Sequence, residues 1–195
     1  MKIIDKMMTV NPFSRPGRKR PVTLGIILHY VGVNGHTASI VWNWFANGCP
    51  QNKHYSSTQY IIDHDGTILR TMPDDELAYH CGSSQVDPAS GRIYTDWARQ
   101  KFGRFAEDFR NNSPNFCTIG IELCIDRQGN FTKETINAAV ELVAKLLKEN
   151  RLIVDDIGHH KMVVGWKDCP LPWVRNPALF DEFKKRVGEN MRTTK

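Results

Sequence analysis

Two short apolar runs constrain the fold most strongly, because each has the length of a strand and each carries one polar side chain near its end. Residues 22–31 are apolar and β-branched and are too short to favour a helix, and residues 118–125 share this character. His29 lies at the C-terminal end of the first run, and Glu122 interrupts the second. A carboxylate in an apolar strand is costly unless it is paired or functional. Glu122 is therefore either an edge-facing residue beside a lysine or part of a site.

Helical patterns alternate with these strands. Residues 132–150 give the clearest helix, since Thr132 is a good N-cap, Glu134 lies in the first turn and the apolar residues form one stripe. The other predicted elements are a helix over 37–47, a hairpin of 58–63 and 67–71 around Asp65-Gly66, a long loop over 82–115 with a short helix near 95–102, a short strand before His159, and a last helix over 177–188. This alternation predicts an α/β fold, with a central mixed β-sheet flanked by helices.

The length of 195 residues suits one domain and is short for two. We expect residues 1–21 to form a Pro/Arg-rich lead-in, residues 22–188 the domain that carries the chemistry, and residues 189–195 a C-terminal tail. No apolar run approaches the roughly 18 residues that span a bilayer, and the first residues lack the apolar core of a signal peptide. The sequence thus predicts synthesis in the cytoplasm and no membrane insertion.

The net charge of +5 is a mild excess, which suits either an anionic surface or a solvated surface with no partner. The basic cluster at 15–20 lacks the interleaved aromatic residues of a single-strand binding platform, so we expect no nucleic-acid partner. The five cysteines are an odd number, which argues against a disulfide framework. Most of them are expected to be small buried hydrophobic residues.

The segment 156–170 concentrates chemistry, because it holds His159, His160, Lys167 and Cys169 within a few residues. Together with His29, two imidazoles and one thiolate would make a three-ligand zinc set that leaves a position open for water, as in catalytic zinc sites. Without the other residues of this set, His29 would be interpreted as a core histidine and Cys169 as a buried thiol. A neighbouring lysine and a metal would instead favour the Cys169 thiolate.

Three further residues are candidates for this chemistry. Near zinc, Glu122 would act as a general base on water, and the Lys167 ammonium would stabilise an oxyanion. His80 precedes the long loop and is either a structural histidine or a contact to substrate.

The chain resembles the zinc-dependent N-acetylmuramoyl-L-alanine amidases of the amidase-2 type, a group that includes endolysins and peptidoglycan-recognition proteins. The matching blocks are Asn-Pro-Phe-Ser-Arg-Pro-Gly at 11–17, Ile-Ile-Leu-His-Tyr at 26–30, Tyr-Ile-Ile-Asp-His-Asp-Gly at 60–66, Ala-Tyr-His-Cys-Gly at 78–82, Ile-Gly-Ile-Glu at 119–122 and Gly-Trp-Lys-Asp-Cys-Pro at 165–170. The first block is most similar to the endolysin branch. The resemblance implies a central mixed sheet with zinc in a groove on one side, and hydrolysis of the amide between N-acetylmuramic acid and L-alanine in peptidoglycan.

The resemblance also implies residue roles. It assigns His29, one histidine of the 159/160 pair and Cys169 to zinc, with His160 favoured because its apolar neighbours match the endolysin branch and His159 kept as the alternate. Some members use a catalytic tyrosine where this chain has Thr58. Tyr60 lies two residues on and by alternation would share that face, so both are expected to line the substrate groove. Members without that tyrosine carry the glutamate that is Glu122 here. The resemblance therefore assigns the acid/base role to Glu122 and keeps Tyr60 as the alternative.

Two other functions compete with this interpretation. A non-catalytic peptidoglycan-binding protein on the same fold commonly lacks the cysteine ligand, whereas Cys169 is present here. A small regulatory protein with a structural zinc would need a fourth protein ligand, for which Cys81 is the obvious candidate. We expect a monomer, acting either as a lysin released to the cell wall or as a cytoplasmic recycling enzyme.

Overall fold

The computed structural model describes residues 1–107 and 112–193. Its strands are β1 (Ile3–Asp5), β2 (Gly25–Tyr30), β3 (Tyr60–Ile62), β4 (Ile68–Arg70), β5 (Thr118–Leu123) and β6 (Ile157–His159). Its α-helices are α1 (Ala38–Asn43), α2 (Cys49–Gln51), α3 (Asp96–Phe102), α4 (Lys133–Glu149), α5 (His160–Val164), α6 (Leu171–Arg175) and α7 (Pro177–Thr193). A π-helical segment, Trp44–Gly48, joins α1 to α2, and short 3₁₀ turns occupy Gly103–Ala106, Pro114–Phe116 and Val154–Asp156.

The strands form one six-stranded mixed sheet in the order β1-β4-β3-β5-β2-β6. Only the β3–β4 pair is antiparallel, as expected for the hairpin around Asp65-Gly66, while the other neighbours run parallel. The predicted central mixed sheet with flanking helices is therefore confirmed.

Successive side chains of a strand point to opposite faces of the sheet, and this alternation separates core from site. On β2, Ile26 and Leu28 belong to the core cluster that α4 and α7 cover. Ile27 belongs to a second cluster on the opposite face, beneath α3 and α5. His29 lies two residues after Ile27, so its side chain is on the same face of the sheet as Ile27 and points away from the core beneath α4.

The predicted helix over 132–150 is confirmed as α4, and its N-cap is formed as expected. Thr132 has extended backbone geometry, and its hydroxyl accepts a hydrogen bond from the backbone N–H of Thr135. The apolar stripe of α4 packs against the sheet and against α7. Burial of this stripe, rather than helix propensity alone, fixes α4 on its face of the sheet.

Several element bounds differ from the expected ones. The predicted helix over 37–47 begins at Ala38, within one residue of the expected start. Helical structure then continues through the π-helical segment to Gln51. Residues 3–5, inside the expected lead-in, form the edge strand β1 and pair with β4. Helix α7 continues to Thr193, into the expected tail, and residues 194–195 lie outside the described residues. The division into lead-in, domain and tail remains a prediction.

Within the described residues, no helix combines the length and the apolar character needed to cross a membrane.

Candidate metal centre

A groove of about 1000 Å³ opens on the sheet face opposite α4. It is partly open to solvent and combines apolar walls with a polar floor. The predicted site residues among its lining are His29, Thr58, His80, Glu122, His160, Lys167 and Cys169. These predicted residues come from five separate parts of the chain.

The register of the two central strands places His29 beside Glu122. β2 and β5 run parallel, and His29 pairs directly with Glu122. The residues before and after Glu122, Ile121 and Leu123, lie in the core beneath α4. Alternation therefore turns both polar side chains to the groove face.

The junction of β6 and α5 separates the two adjacent histidines. His159 ends β6 on the core side, where its ring packs edge-on against Phe180 with the ring centroids 4.8 Å apart. Its Nδ1 atom is buried and has no hydrogen-bond partner among the described residues. His160 begins α5 and turns into the groove, with its Nδ1 atom 3.1 Å from Nδ1 of His29. Of the two adjacent histidines, His160 therefore lies beside His29 in the groove, and His159 does not.

Cys169 completes the cluster from the loop between α5 and α6. Its Sγ atom lies 3.9 Å from Nδ1 of His29, and the peptide bond to Pro170 is cis. Burial raises the pKa of the Cys169 thiol to about 12, and Glu122 adds to that rise. The backbone N–H of Tyr30 and the charge of Lys167 act in the opposite direction. The lysine effect expected from the sequence is therefore present but smaller than the effect of burial.

The geometry of these three residues fits a tetrahedral metal. Their ligand atoms all lie within 4.8 Å of one another, and all three residues are buried. Two nitrogens bound to one zinc ion would be about 3.3 Å apart, and a nitrogen and a thiolate sulfur about 3.6 Å apart. The observed 3.1 and 3.9 Å differ from these values by only a few tenths of an ångström. The donor set of two imidazoles and one thiolate is one that zinc prefers.

The electrostatics of the groove floor suit proton transfer. Burial raises the pKa of Glu122 to about 7, and the positive charge of Lys167 opposes that rise. Burial, helped by the neighbouring rings and Lys167, holds the pKa values of His29 and His160 well below the usual value, so both imidazoles are neutral. Neutral imidazole is the form that binds metal.

Of the two residues expected near the tyrosine position, one lies in the groove and one does not. Thr58 precedes β3, lines the groove and donates a hydrogen bond to the carbonyl of Tyr60. Tyr60 is part of the core cluster under α4, and its hydroxyl donates to Asp74. The expectation that both share a face is wrong, because β3 starts only at Tyr60 and strict alternation does not extend back to Thr58.

His80 lines the groove and lies directly beside His29. Its Nδ1 atom is 3.0 Å from Nε2 of His29, and burial lowers its pKa to about 3. Cys81 points further away, with its Sγ atom 3.4 Å from Oγ1 of Thr118. In the described structure Cys81 is not among the clustered ligand atoms, so the expected fourth ligand of a structural zinc is not in place.

The apolar wall of the groove was not predicted from the sequence. Ile40 and Trp44 lie within the predicted helix over 37–47, and both are exposed and line the groove. The ring of Trp44 lies over Gly48, where a Cβ atom would come within 2.2 Å of it. In the sequence, the one indication of this packing was that Gly48 follows Trp44 by four residues, which places the two on the same side of a helix.

A second cluster, Asp63, His64 and Cys124, also has its ligand atoms within 4.8 Å. Here the polar atoms already have partners. Asp63 accepts hydrogen bonds from the backbone N–H groups of Ala38 and His64, and His64 Nε2 donates to the carbonyl of Ile125. This cluster therefore ties the start of α1 to the ends of β3 and β5.

Comparison with known proteins identifies the family of the chain. The profile of the amidase-2 family, described as N-acetylmuramoyl-L-alanine amidase, matches residues 18–172. A probable N-acetylmuramoyl-L-alanine amidase of Bacillus licheniformis is 33% identical over 188 residues, which cover 96% of this chain and 47% of the relative. The N-acetylmuramoyl-L-alanine amidase BlyA of Bacillus subtilis is 30% identical over the same shares of both chains. The chain thus spans about half the length of these curated relatives.

Solved structures share the fold. The catalytic domain of XlyA superposes with a TM-score of 0.71 at 23% identity, covering 96% of this chain and 100% of that chain. PlyL superposes with a TM-score of 0.67 at 19% identity, covering 97% of this chain and 99% of that chain. With a family match over most of its length and a relative at 33% identity, the chain belongs to the amidase-2 family of N-acetylmuramoyl-L-alanine amidases.

Proposed function

We propose that this chain is a zinc-dependent amidase that hydrolyses the bond between N-acetylmuramic acid and L-alanine in peptidoglycan. One observation carries the proposal: the ligand atoms of His29, His160 and Cys169 cluster at the floor of a groove that also holds Glu122. The names of the relatives indicate the substrate. The three protein ligands leave a position for water, which distinguishes catalytic from structural zinc sites.

The residues of the groove floor divide the chemistry among them. His29, His160 and Cys169 would hold zinc, which when bound lowers the pKa of water and polarises a carbonyl oxygen. Glu122 takes a proton from the attacking water as general base. It returns this proton to the nitrogen of L-alanine as the carbon–nitrogen bond breaks, so that a free carboxyl group and a free amine result. Lys167 stabilises the negative charge that develops on the carbonyl oxygen.

The test measures new L-alanine amino termini released from purified peptidoglycan. Wild type, Cys169→Ser and Glu122→Ala would be compared, each with chelator and after zinc is restored. Glu189→Gln, an exposed change on α7, is the matched surface control. We expect zinc-dependent release by wild type and the control, and a loss of at least about 100-fold in both site variants, the scale of removing one key catalytic group.

No release by zinc-loaded wild type on several wall types would refute the amidase. Binding of the same walls without release would then identify a non-catalytic peptidoglycan-binding protein. Intact walls and soluble muropeptides are assayed in parallel, because a lysin acts on the first and a recycling enzyme on the second.

A further inference from the structure

The metal-facing histidine, His29, has a second ring nitrogen that does not face the other two candidate ligands. Nδ1 of His29 faces His160 and Cys169, whereas Nε2 of His29 lies 3.0 Å from Nδ1 of His80. The two rings meet edge-on, with their centroids 5.1 Å apart. A neutral imidazole carries one proton, so the atom that holds it decides whether His29 can bind a metal through Nδ1.

The position of that proton follows from a chain of hydrogen bonds that ends at a backbone carbonyl. The carbonyl of Pro114 can only accept, so Thr118 donates its hydroxyl proton to it over 2.6 Å. Oγ1 of Thr118 is then the acceptor for His80 Nε2, which lies 3.2 Å away. With its proton on Nε2, His80 presents a bare Nδ1 to His29.

His29 must therefore donate from Nε2, which leaves its Nδ1 lone pair free. Each bond in the series Pro114, Thr118, His80 and His29 has a single direction, set by the carbonyl at its end. Metal-binding histidines generally donate their other N–H to such an outer partner, which fixes both tautomer and ring orientation.

The surrounding backbone holds His80 in this place. Oδ1 of the buried Asn115 accepts hydrogen bonds from the backbone N–H groups of His80, Cys81 and Gly82, at 3.0, 2.9 and 3.2 Å. Gly120 leaves the space that the ring occupies, since a Cβ atom there would lie 2.6 Å from Cγ of His80. The chain thus fixes both the backbone and the ring of His80 before any ligand binds.

We infer that His80 is a positioning residue, which acts through His29 to set the tautomer that a metal ion requires. This role differs from the substrate contact expected from the sequence. The inference rests on the proposed zinc site but not on the substrate or on the amidase reaction.

The test uses two near-isosteric substitutions, His80→Asn and His80→Leu. Both shorten the side chain equally, but only Asn places an acceptor near the former Nδ1 position. Zinc affinity is measured by competition with a chromophoric chelator. The tautomer of His29 is read in the metal-free proteins from the ¹⁵N shifts of labelled imidazoles.

We expect His80→Leu to weaken zinc binding by about 10- to 100-fold, the range for outer partners of metal-binding histidines. We expect His80→Asn to stay within about threefold of wild type, with His29 still protonated on Nε2. Equal losses in both variants, or no loss in either, would overturn the inference. If neither variant folds, Thr118→Val carries the test, because it removes the acceptor for His80 Nε2 and leaves the His80 side chain itself unchanged. Unchanged zinc affinity and tautomer there would overturn the inference.

The same measurements distinguish failure of the proposed amidase function from failure of the role inferred for His80. Wild type that binds zinc but releases no amino termini would refute the amidase and leave the role of His80 intact. Wild type that binds no zinc would overturn the inference along with the metal site.

Discussion

His29 and Glu122 are direct partners in the parallel pairing of β2 and β5, so the register of two strands places a metal-ligand candidate beside a carboxylate. Leu28 precedes His29, and Ile121 and Leu123 flank Glu122; all three are buried in the core. If one strand slipped by one residue, its polar side chain would point into that core. The same hydrophobic burial that fixes the sheet therefore fixes the distance between these two groups.

The first prediction concerns the pH dependence of activity. A general base must be ionised, and burial raises the pKa of Glu122 to about 7. We therefore expect kcat/KM to fall as pH drops through the pKa of this carboxyl, which gives the pH–rate profile an acidic limb. A bound cation would lower that pKa and so shift the acidic limb to lower pH. Glu122→Asp should retain the limb at lower activity, whereas the residual activity of Glu122→Gln should lack it. A limb that persists in Glu122→Gln would assign it to another group.

The same carboxyl should lower the stability of the metal-free protein at high pH. Its pKa rises from 4.5 to about 7 on folding, so the folded state favours the protonated form. The stability from protonated Glu122 is complete below about pH 4.5 and is lost as pH rises through about 7. Glu122→Gln should thus exceed wild type by about 1–3 kcal/mol at about pH 8 and match it at about pH 4.

Urea unfolding in chelator at both pH values measures this difference, with Glu189→Gln as the surface control. A variant less stable than wild type at the higher pH would show that the ionised carboxylate is favourably paired in the folded state.

The two adjacent histidines give a matched comparison. His160 contacts His29 in the groove, while His159 contacts Phe180 on the core side. We expect His160→Gln to lose more zinc affinity than the roughly 10- to 100-fold that outer partners contribute, and His159→Gln to keep it within about threefold. Competition titration with zinc measures both variants. A larger loss in His159→Gln would reverse the assignment.

The sheet and the main helices were predictable because their signals are local. The apolar run ending at His29, the hairpin turn at Asp65-Gly66 and the cap at Thr132 each depend on a few neighbouring residues. The placement of His160 was favoured only through resemblance, since β6 ends between two identical residues and the sequence does not mark the end of a strand to one residue. Tyr60 was misplaced for the same reason, at the start of β3.

The position of His80 could not be read from the sequence at all. Its contacts to His29, Thr118 and Asn115 join residues 35 to 51 positions away along the chain. Only the assembled sheet brings Thr118 and Gly120 on β5 beneath the segment that carries His80.

Lys167 should act on the transition state rather than on binding. It is exposed at the groove, where its charge lowers the pKa of Glu122. We expect Lys167→Met to reduce kcat by about 10²- to 10³-fold with little change in KM, as for the loss of one oxyanion donor. Lys161→Met is the control, because Lys161 pairs with Asp168 at 2.6 Å. Equal effects of both changes would indicate a general electrostatic role.

The apolar wall of the groove should contribute to substrate binding and not to chemistry. Trp44 is 44% exposed and lines the groove, about 1000 Å³ in volume, with its ring supported by Gly48. An exposed indole in a concave site provides a large contact surface at low entropic cost. Trp44→Ala should raise KM by roughly 10-fold, a loss of about 1–2 kcal/mol of binding, and leave kcat within about twofold.

Trp166 offers the matched control, since it is 36% exposed and lies outside the groove lining. Steady-state kinetics on soluble muropeptides separates KM from kcat for both variants, and Trp166→Ala should leave both constants unchanged. A fall in kcat alone for Trp44→Ala would contradict a binding role. It would indicate instead that the π-helical segment carrying Trp44 positions the groove floor, because only a group that acts on the transition state lowers kcat without raising KM.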